Sequence, residues 1–479
     1  MKRGGQRRSI GLISGWLPVI VVLLILAASF AAFEYDAAER LGLADPEPDN
    51  PAEVAPPEGL ELPELAAPRP VARALSTSSQ VDPAKVEAAL APYLDGHGLG
   101  KHKVISVGSL DGNTWFDNLA GPVTPASTMK LLTGTAAIES LGAATTFDTR
   151  VVRTTGSNGS NEIVLVGAGD PYLTRKPDDD AYPQPADLQT LAAETAASLK
   201  REGVKKVRLG FDDSMFTGGT TEKTWPANYT SDAVVAPITA LWVDQGATPD
   251  GWGYEQDPSL SAATMFAQEL RSAGIKVQGQ VRRTSAGGGA EVAKVESPPV
   301  EQIVDEVLAI SDNEGAELLA HHIGIAEGFG GTFEGGVKGT RKVLRELGVP
   351  LANTVLHDGS GLSREDRLTG QSLLAMFRTD AAPTHAALRP VITGLPVAAF
   401  NGSLAGRLGS ADKAGRGRVR AKTGTLTGVH GLAGVTTDLD GNVFAFVFIA
   451  DKVKVPKTLE ARATLDDLTA ALASCHCSA

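Results

Sequence analysis

A chain of 479 residues, 42% apolar and 21% charged, has the composition of a globular protein and is long enough for more than one domain. Its net charge of −12 argues against a nucleic-acid binder, which needs a basic face. Only two cysteines occur, both among the last five residues, so no disulfide framework supplies the stability.

Residues 1–8 contain Lys2, Arg3, Arg7 and Arg8, and Ser9–Phe33 then runs 25 residues without a charge. As a helix this run would extend roughly 37 Å, enough to cross a hydrocarbon core of about 30 Å with some tilt. Basic residues before it, with Glu34 and Asp36 after it, predict a transmembrane signal-anchor with its N-terminus inside and the bulk of the chain outside the cytoplasm. Cleavage near Ser29-Phe30-Ala31 would instead secrete the chain. Residues 34–79, with eight prolines and seven acids between Asp45 and Pro70, predict a disordered, partly polyproline linker.

Asp82-Pro83 opens a helix that runs to about Leu94, with Asp as cap and Pro at the first position. Val104–Ser109 and Thr114–Asn118 read as paired strands around Asp111-Gly112-Asn113. Pro125-Ala126-Ser127-Thr128-Met129-Lys130 heads an apolar helix that stops near Gly142. Strands follow around Thr149 and at Ile163–Val166, then a helix at 186–201, a strand at Lys206–Phe211 and a helix at 258–273. From Val300 to Ile310 a helix leads into Ser311-Asp312-Asn313, and helices dominate to Thr379. Strands return at Val419–Lys422, Gly434–Thr437 and Val443–Ile449, before a final helix at 458–472. A sheet assembled from both ends of the chain predicts an α/β (α+β) catalytic domain over 80–146 and 293–474, with a smaller domain inserted at 147–292. Cys475-His476-Cys477 offers too few ligands for a metal site and reads as a flexible tail, 475–479, with reactive thiols. The remaining histidines lack metal-ligand spacing, so neither a metal nor another cofactor is expected.

Alone, Ser127-x-x-Lys130 reads as a helix cap beside a surface lysine. Ser311-x-Asn313 and Lys422-Thr423-Gly424 change that reading, because the three motifs in this order form the signature of penicillin-recognising serine acyltransferases. Residues three apart share a helix face, so the Lys130 amine can take the Ser127 proton and make it a nucleophile. For this Lys130 must be neutral part of the time, which burial and a second cation, Lys422, would arrange. Ser311 would relay a proton toward the leaving amine, and Asn313 would hold both Lys130 and a substrate amide. The backbone N–H groups of Ser127 and Thr425 would bind the oxyanion. Thr423, Thr425 and Lys422 would meet a terminal carboxylate, and Gly424 would let a substrate backbone lie along the strand.

The chain resembles the D-alanyl-D-alanine carboxypeptidase/endopeptidase family, the class C low-molecular-mass penicillin-binding proteins. Beyond the three motifs, Gly169-Asp170-Pro171, Asp212-Asp213-Ser214-Met215-Phe216, Asp358-Gly359-Ser360-Gly361-Leu362-Ser363 and Leu395-Pro396-Val397 resemble family blocks. The resemblance implies a transpeptidase/serine β-lactamase-like domain. It also implies cleavage of D-Ala-D-Ala, or of D-Ala–diamino-acid cross-links, in peptidoglycan stem peptides through an acyl-enzyme at Ser127. β-Lactam antibiotics would acylate the same serine. Arg364 resembles a family position near the substrate's free carboxylate or amine. Two departures stand out: residues 239–257 are too few for the third domain of some relatives, and Asn228, with Asp232 nearby, stands where the family can place an acid that holds the diamino acid's ammonium. A β-lactamase-type hydrolase and a catalytically silent cell-wall binding protein are the rival readings. The only Glu-x-x-Asn, Glu47 to Asn50, falls in the linker, which counts against the commonest serine β-lactamase type.

Overall fold

Phe444, Phe446 and Phe448 belong to one buried apolar cluster, and Ala445, Val447 and Ile449, which alternate with them, belong to another. A strand buried on both faces needs a layer packed on each side of its sheet. The computed structural model describes residues 81–95, 98–155, 161–408 and 413–479 and shows that arrangement. The basic segment, anchor and linker expected over 1–79 lie outside the described residues. Among those described, no helix is long and apolar enough to cross a membrane.

The helices are α1 (Pro83–Leu94), α2 (Lys130–Leu141), α3 (Leu188–Arg201), α4 (Pro258–Ser272), α5 (Val300–Ala309), α6 (Asn313–Ala326), α7 (Phe333–Glu346), α8 (Gly370–Ala381), α9 (Arg389–Thr393) and α10 (Thr458–Ser474). The first sheet contains β1 (Lys103–Gly108), β2 (Thr114–Asp117), β9 (Arg420–Leu426), β10 (Val429–Thr437) and β11 (Val443–Ala450), in the antiparallel order β2-β1-β11-β10-β9. Both ends of the described chain therefore build it, and β9 is left as an edge. Val86 and Leu90 of α1 and Leu465 and Leu468 of α10 cover one face. Leu131 and Leu132 of α2, Val304 and Val307 of α5, Leu319 of α6 and Phe377 of α8 cover the other.

A second sheet has the order β6-β5-β4-β3-β8, from β3 (Asp148–Thr155), β4 (Asn161–Val166), β5 (Lys206–Asp212), β6 (Lys276–Val277) and β8 (Ala290–Glu296), while β7 (Arg282–Arg283) also pairs with β5. Leu191 of α3 and Phe266 of α4 pack on Val151, Leu165 and Leu209 of this sheet. The expected boundary at 292/293 cuts through β8, which pairs with β3 from Glu296 to Ala290, so the second sheet continues to Glu296. β8 was not legible because Glu291, Lys294 and Glu296 leave it half polar, and only pairing makes it a strand. Residues 239–257 close in one small loop, tied by the Ala247–Tyr254 bridge.

The tail differs from expectation. Cys475 and Cys477 form a disulfide, and Cys477 is buried. Asp82 donates its N–H to the Cys477 carbonyl at 2.9 Å, Val81 pairs with Ser478, and Leu439 donates to the Cys475 carbonyl at 3.0 Å. Residues 475–479 are thus stitched to the start of α1 and to the β10–β11 turn; the missing signal was the partner strand, nearly 400 residues away.

Candidate active site

Ser127 stands in a 310 turn, Ala126–Met129, immediately before α2 rather than within it. The turn opens with a left-handed alanine, Ala126 at φ 48°, and is closed by the Thr128 hydroxyl donating to the Pro125 carbonyl at 2.7 Å. Residues three apart nearly eclipse in a 310 turn, and the Lys130 amine lies 3.1 Å from Ser127 Oγ. Lys130 is fully buried, whereas Ser127 is half-buried. Gly361 supports the turn from behind: its φ is 81°, and a Cβ there would sit 2.0 Å from the Ala126 carbonyl. Gly361→Ala is expected to cost about 2–4 kcal/mol through strain and overlap, read as a lower thermal unfolding midpoint. An unchanged midpoint would show that the turn moves freely.

The second motif lies where α5 ends and α6 begins. Asp312 caps α6, accepting from Gly315 N at 3.1 Å, and also accepts from the Tyr172 hydroxyl at 3.0 Å and Gln245 Nε2 at 2.8 Å. With Asp312 held from three sides, Ser311 adopts φ 67°, a conformation that a non-glycine residue keeps only when its surroundings impose it. The Ser311 hydroxyl makes no hydrogen bond to another described residue. Asn313 is pinned at both ends: Oδ1 accepts from Lys130 Nζ at 2.8 Å, and Nδ2 donates to the Val234 carbonyl at 3.0 Å.

The third motif lies on β9, the free edge. A Cβ at Gly424 would meet the Pro125 carbonyl at 2.8 Å and Thr128 N at 3.4 Å, so glycine here lets the strand approach the Ser127 turn. Lys422 is fully buried and donates to the Thr423 carbonyl at 3.2 Å. Thr423 Oγ1 bonds Ser403 Oγ at 3.2 Å, and Thr425 is exposed. Arg364 is exposed and holds the Thr427 carbonyl at 2.8 Å, clamping its loop to the β9–β10 turn. Ser127, Lys130 and Asn313 are thus in direct contact and Gly424 abuts their turn, while Ser311 and Thr425 join the group through their chain neighbours.

Burial brings Lys130 down to about 8, against Asp358, Glu317, Asp312 and Glu314, which favour its charged form. An amine at 3.1 Å from a hydroxyl and partly neutral near pH 8 is able to accept that hydroxyl's proton. Of burial and a Lys422 cation, the two causes expected for this lowering, burial is the one that dominates. Lys422 is itself pushed well below the ordinary range, first by burial and then by the Lys130 charge.

Sequence reasoning missed the floor of the site. Lys130 also donates to the Ser360 carbonyl at 2.8 Å. Glu317, buried beneath that loop and raised to about 8 by burial and by Asp358, accepts from Gly359 N at 3.1 Å and Ser360 N at 2.8 Å. Asp358 accepts from Gly361 N, Ser363 N and Trp225 Nε1 at 2.7, 2.6 and 2.7 Å. The available signal was an acid four residues after Asn313 among Ala316, Leu318, Leu319 and Ala320, a charge inside an apolar stretch of the helix. Asn228 and Asp232 bond to each other on an exposed turn between Trp225 and Val234, at the rim rather than the floor.

The sequence profile of the D-Ala-D-Ala carboxypeptidase 3 (S13) family matches residues 93–250 and 252–472, across all three motifs. The chain belongs to the S13 family. It is 32% identical to Carboxypeptidase DacB of Mycolicibacterium smegmatis over 97% of this chain and 96% of that one. It is also 32% identical to Carboxypeptidase Rv3627c of Mycobacterium tuberculosis, over 85% of this chain and 87% of that one. Among solved structures, penicillin binding protein 4 (dacB) from Haemophilus influenzae superposes with a TM-score of 0.66 at 21% identity, covering 80% of this chain and 98% of that one. The α/β architecture is therefore that of a penicillin-binding protein, and the chain is a peptidase of the D-Ala-D-Ala carboxypeptidase class. The interval between Ser127 and Ser311 holds every described strand of the second sheet.

Proposed function

We propose that the chain is a serine D,D-peptidase that cleaves the terminal D-Ala-D-Ala bond of peptidoglycan stem peptides, and D-Ala–diamino-acid cross-links, and that penicillins acylate it. The contact that carries this reading is the fully buried Lys130 amine, 3.1 Å from Ser127 Oγ and held by Asn313 and the Ser360 carbonyl. Ser127 Oγ attacks the penultimate D-Ala carbonyl while Lys130 takes its proton. The N–H groups of Ser127 and Thr425 bind the oxyanion, and the substrate lies extended along the β9 edge past Gly424. Thr423, Thr425 and Lys422 receive the terminal carboxylate, which favours the charged form of Lys422. Ser311 passes a proton to the departing D-Ala amine, and water then hydrolyses the acyl-enzyme. Arg364, held against the β9–β10 turn by the Thr427 carbonyl, stands near the substrate's free carboxylate or amine. No metal or other cofactor enters this scheme. We place the catalytic unit on the wall side of the cell membrane, held by the uncharged run at 9–33 or secreted if that run is cleaved.

Incubation with benzylpenicillin should add one drug mass to the peptide bearing Ser127, and a pentapeptide ending in D-Ala-D-Ala should release D-alanine. Absence of both products would remove the reading, and rapid drug turnover would favour a β-lactamase. The pH dependence has a definite sign. Neutral Lys130 is the competent form and its pKa is about 8, so acylation should rise about tenfold between pH 7 and 9 and level off above that. Glu317→Gln keeps an oxygen acceptor for Gly359 N and Ser360 N but removes a carboxylate that, as it ionises near pH 8, favours protonated Lys130. It should move the acid limb to lower pH; a limb that stays put or moves upward would exclude that coupling.

A further inference from the structure

A cavity of about 470 Å³ lies beside the β1 and β11 ends, and five of the residues that line it are lysines: Lys101, Lys103, Lys452, Lys454 and Lys457. In a chain of net charge −12 this is a steep local reversal. Neutralisation is partial. Lys457 pairs with Glu460, Lys103 lies 3.8 Å from the exposed Asp95, and Asp451 at the same corner is buried against His102. Among the described residues no carboxylate lies within ion-pairing distance of Lys101, Lys452 or Lys454. Apolar side chains adjoining these lysines in the chain stand in open solvent: Val455, between Lys454 and Lys457, is 62% exposed, and Leu459, two residues past Lys457, is 78% exposed.

Amines alternating with exposed apolar tips match a phosphate-bearing bilayer surface, where lysines meet headgroups and apolar groups enter the acyl boundary. A dissolved phosphodiester polymer would satisfy the lysines but leave Val455 and Leu459 in water. We propose that this lysine-rich face docks on an anionic lipid bilayer. The face is tied to the active-site segments by two hydrogen bonds. Val453 N donates to the Gly428 carbonyl at 3.0 Å, in the β9–β10 turn, and Asp451 accepts from Thr124 N at 2.9 Å, just before the Ser127 turn. Docking therefore brings the mouth of the site against the headgroups and favours stem peptides close to the membrane.

The test uses the full chain reconstituted into vesicles of phosphatidylcholine alone or mixed with phosphatidylglycerol, so that attachment through residues 9–33 is common to both. Lysine acetylation rates are then read by mass spectrometry. Lys101, Lys452, Lys454 and Lys457 should react severalfold more slowly in the anionic vesicles, with recovery in high salt, while Lys176 and Lys223 react equally in both. Val455→Ser with Leu459→Ser should remove most of the protection. Equal rates in the two vesicles would overturn the proposal, as would protection unchanged by the serine variant. Protection as strong from soluble poly(glycerol phosphate) at equal phosphate would also overturn it, assigning the face to a polymer. Lys452→Glu with Lys454→Glu should lose protection while acylation by soluble penicillin stays unchanged.

Discussion

Ser127→Ala should abolish the penicillin adduct and lower D-alanine release on the order of 10⁵–10⁶-fold, the scale on which serine hydrolases lose turnover without their nucleophile. The fold should be indifferent. Ser127 is half-buried, and its side-chain contact is the 3.1 Å bond from Lys130, which keeps Asn313 and the Ser360 carbonyl as partners. The expected stability change is within about 0.5 kcal/mol, as for a substitution away from a packed core. Thermal unfolding alongside an intact-mass adduct assay separates the two effects. Hydrolysis surviving in a well-folded Ser127→Ala protein would mean that another group attacks the carbonyl.

Lys130→Met should produce the second large loss, about 10²–10⁴-fold in the acylation rate, the usual range for removing a positioned general base. Here the fold does feel the change. Methionine fits the buried shaft but leaves the Ser360 carbonyl and Asn313 Oδ1 without their donor, at about 1–3 kcal/mol for each buried group left unpaired. It also removes the cation set among Asp358, Glu317 and Asp312. Rates of adduct formation measured well below the unfolding midpoint isolate the chemistry. Acylation within tenfold of the unsubstituted protein would put the base elsewhere. Lys130→Arg should fail to rescue, because a guanidinium stays protonated across the working range.

The Ser127, Ser311 and Lys422 motifs were legible in sequence because each is local: residues a few positions apart, in a turn, at a helix junction or on a strand. Capping was legible for the same reason, as Asp82 before α1 shows, with its carboxylate accepting from Ala84 N. Long-range partners were not. Glu317 reads as an ordinary acid until the Gly359-Ser360 loop folds over it, and Ser360 enters the site through a carbonyl that every residue possesses. Arg418, just before β9 begins at Arg420, turns to the Ala473 carbonyl, a partner 55 residues away.

By itself, then, the sequence determined which groups are candidates for the chemistry: a hydroxyl and an amine three residues apart, an amide after a capping aspartate, and a Lys-Thr-Gly strand able to lie beside them. Residue type and short spacing suffice there, because the reacting groups are side chains and their local conformations follow from neighbours. Tertiary structure decided how the amine is tuned and how the parts are held. Desolvation of Lys130 depends on everything packed around it, from α6 to the 358–363 loop. The register that sets Gly424 against Pro125 depends on pairing between distant strands. The docked Cys475–Cys477 tail and the lysine-rich face arise in the same way, from segments that meet only after the chain has folded.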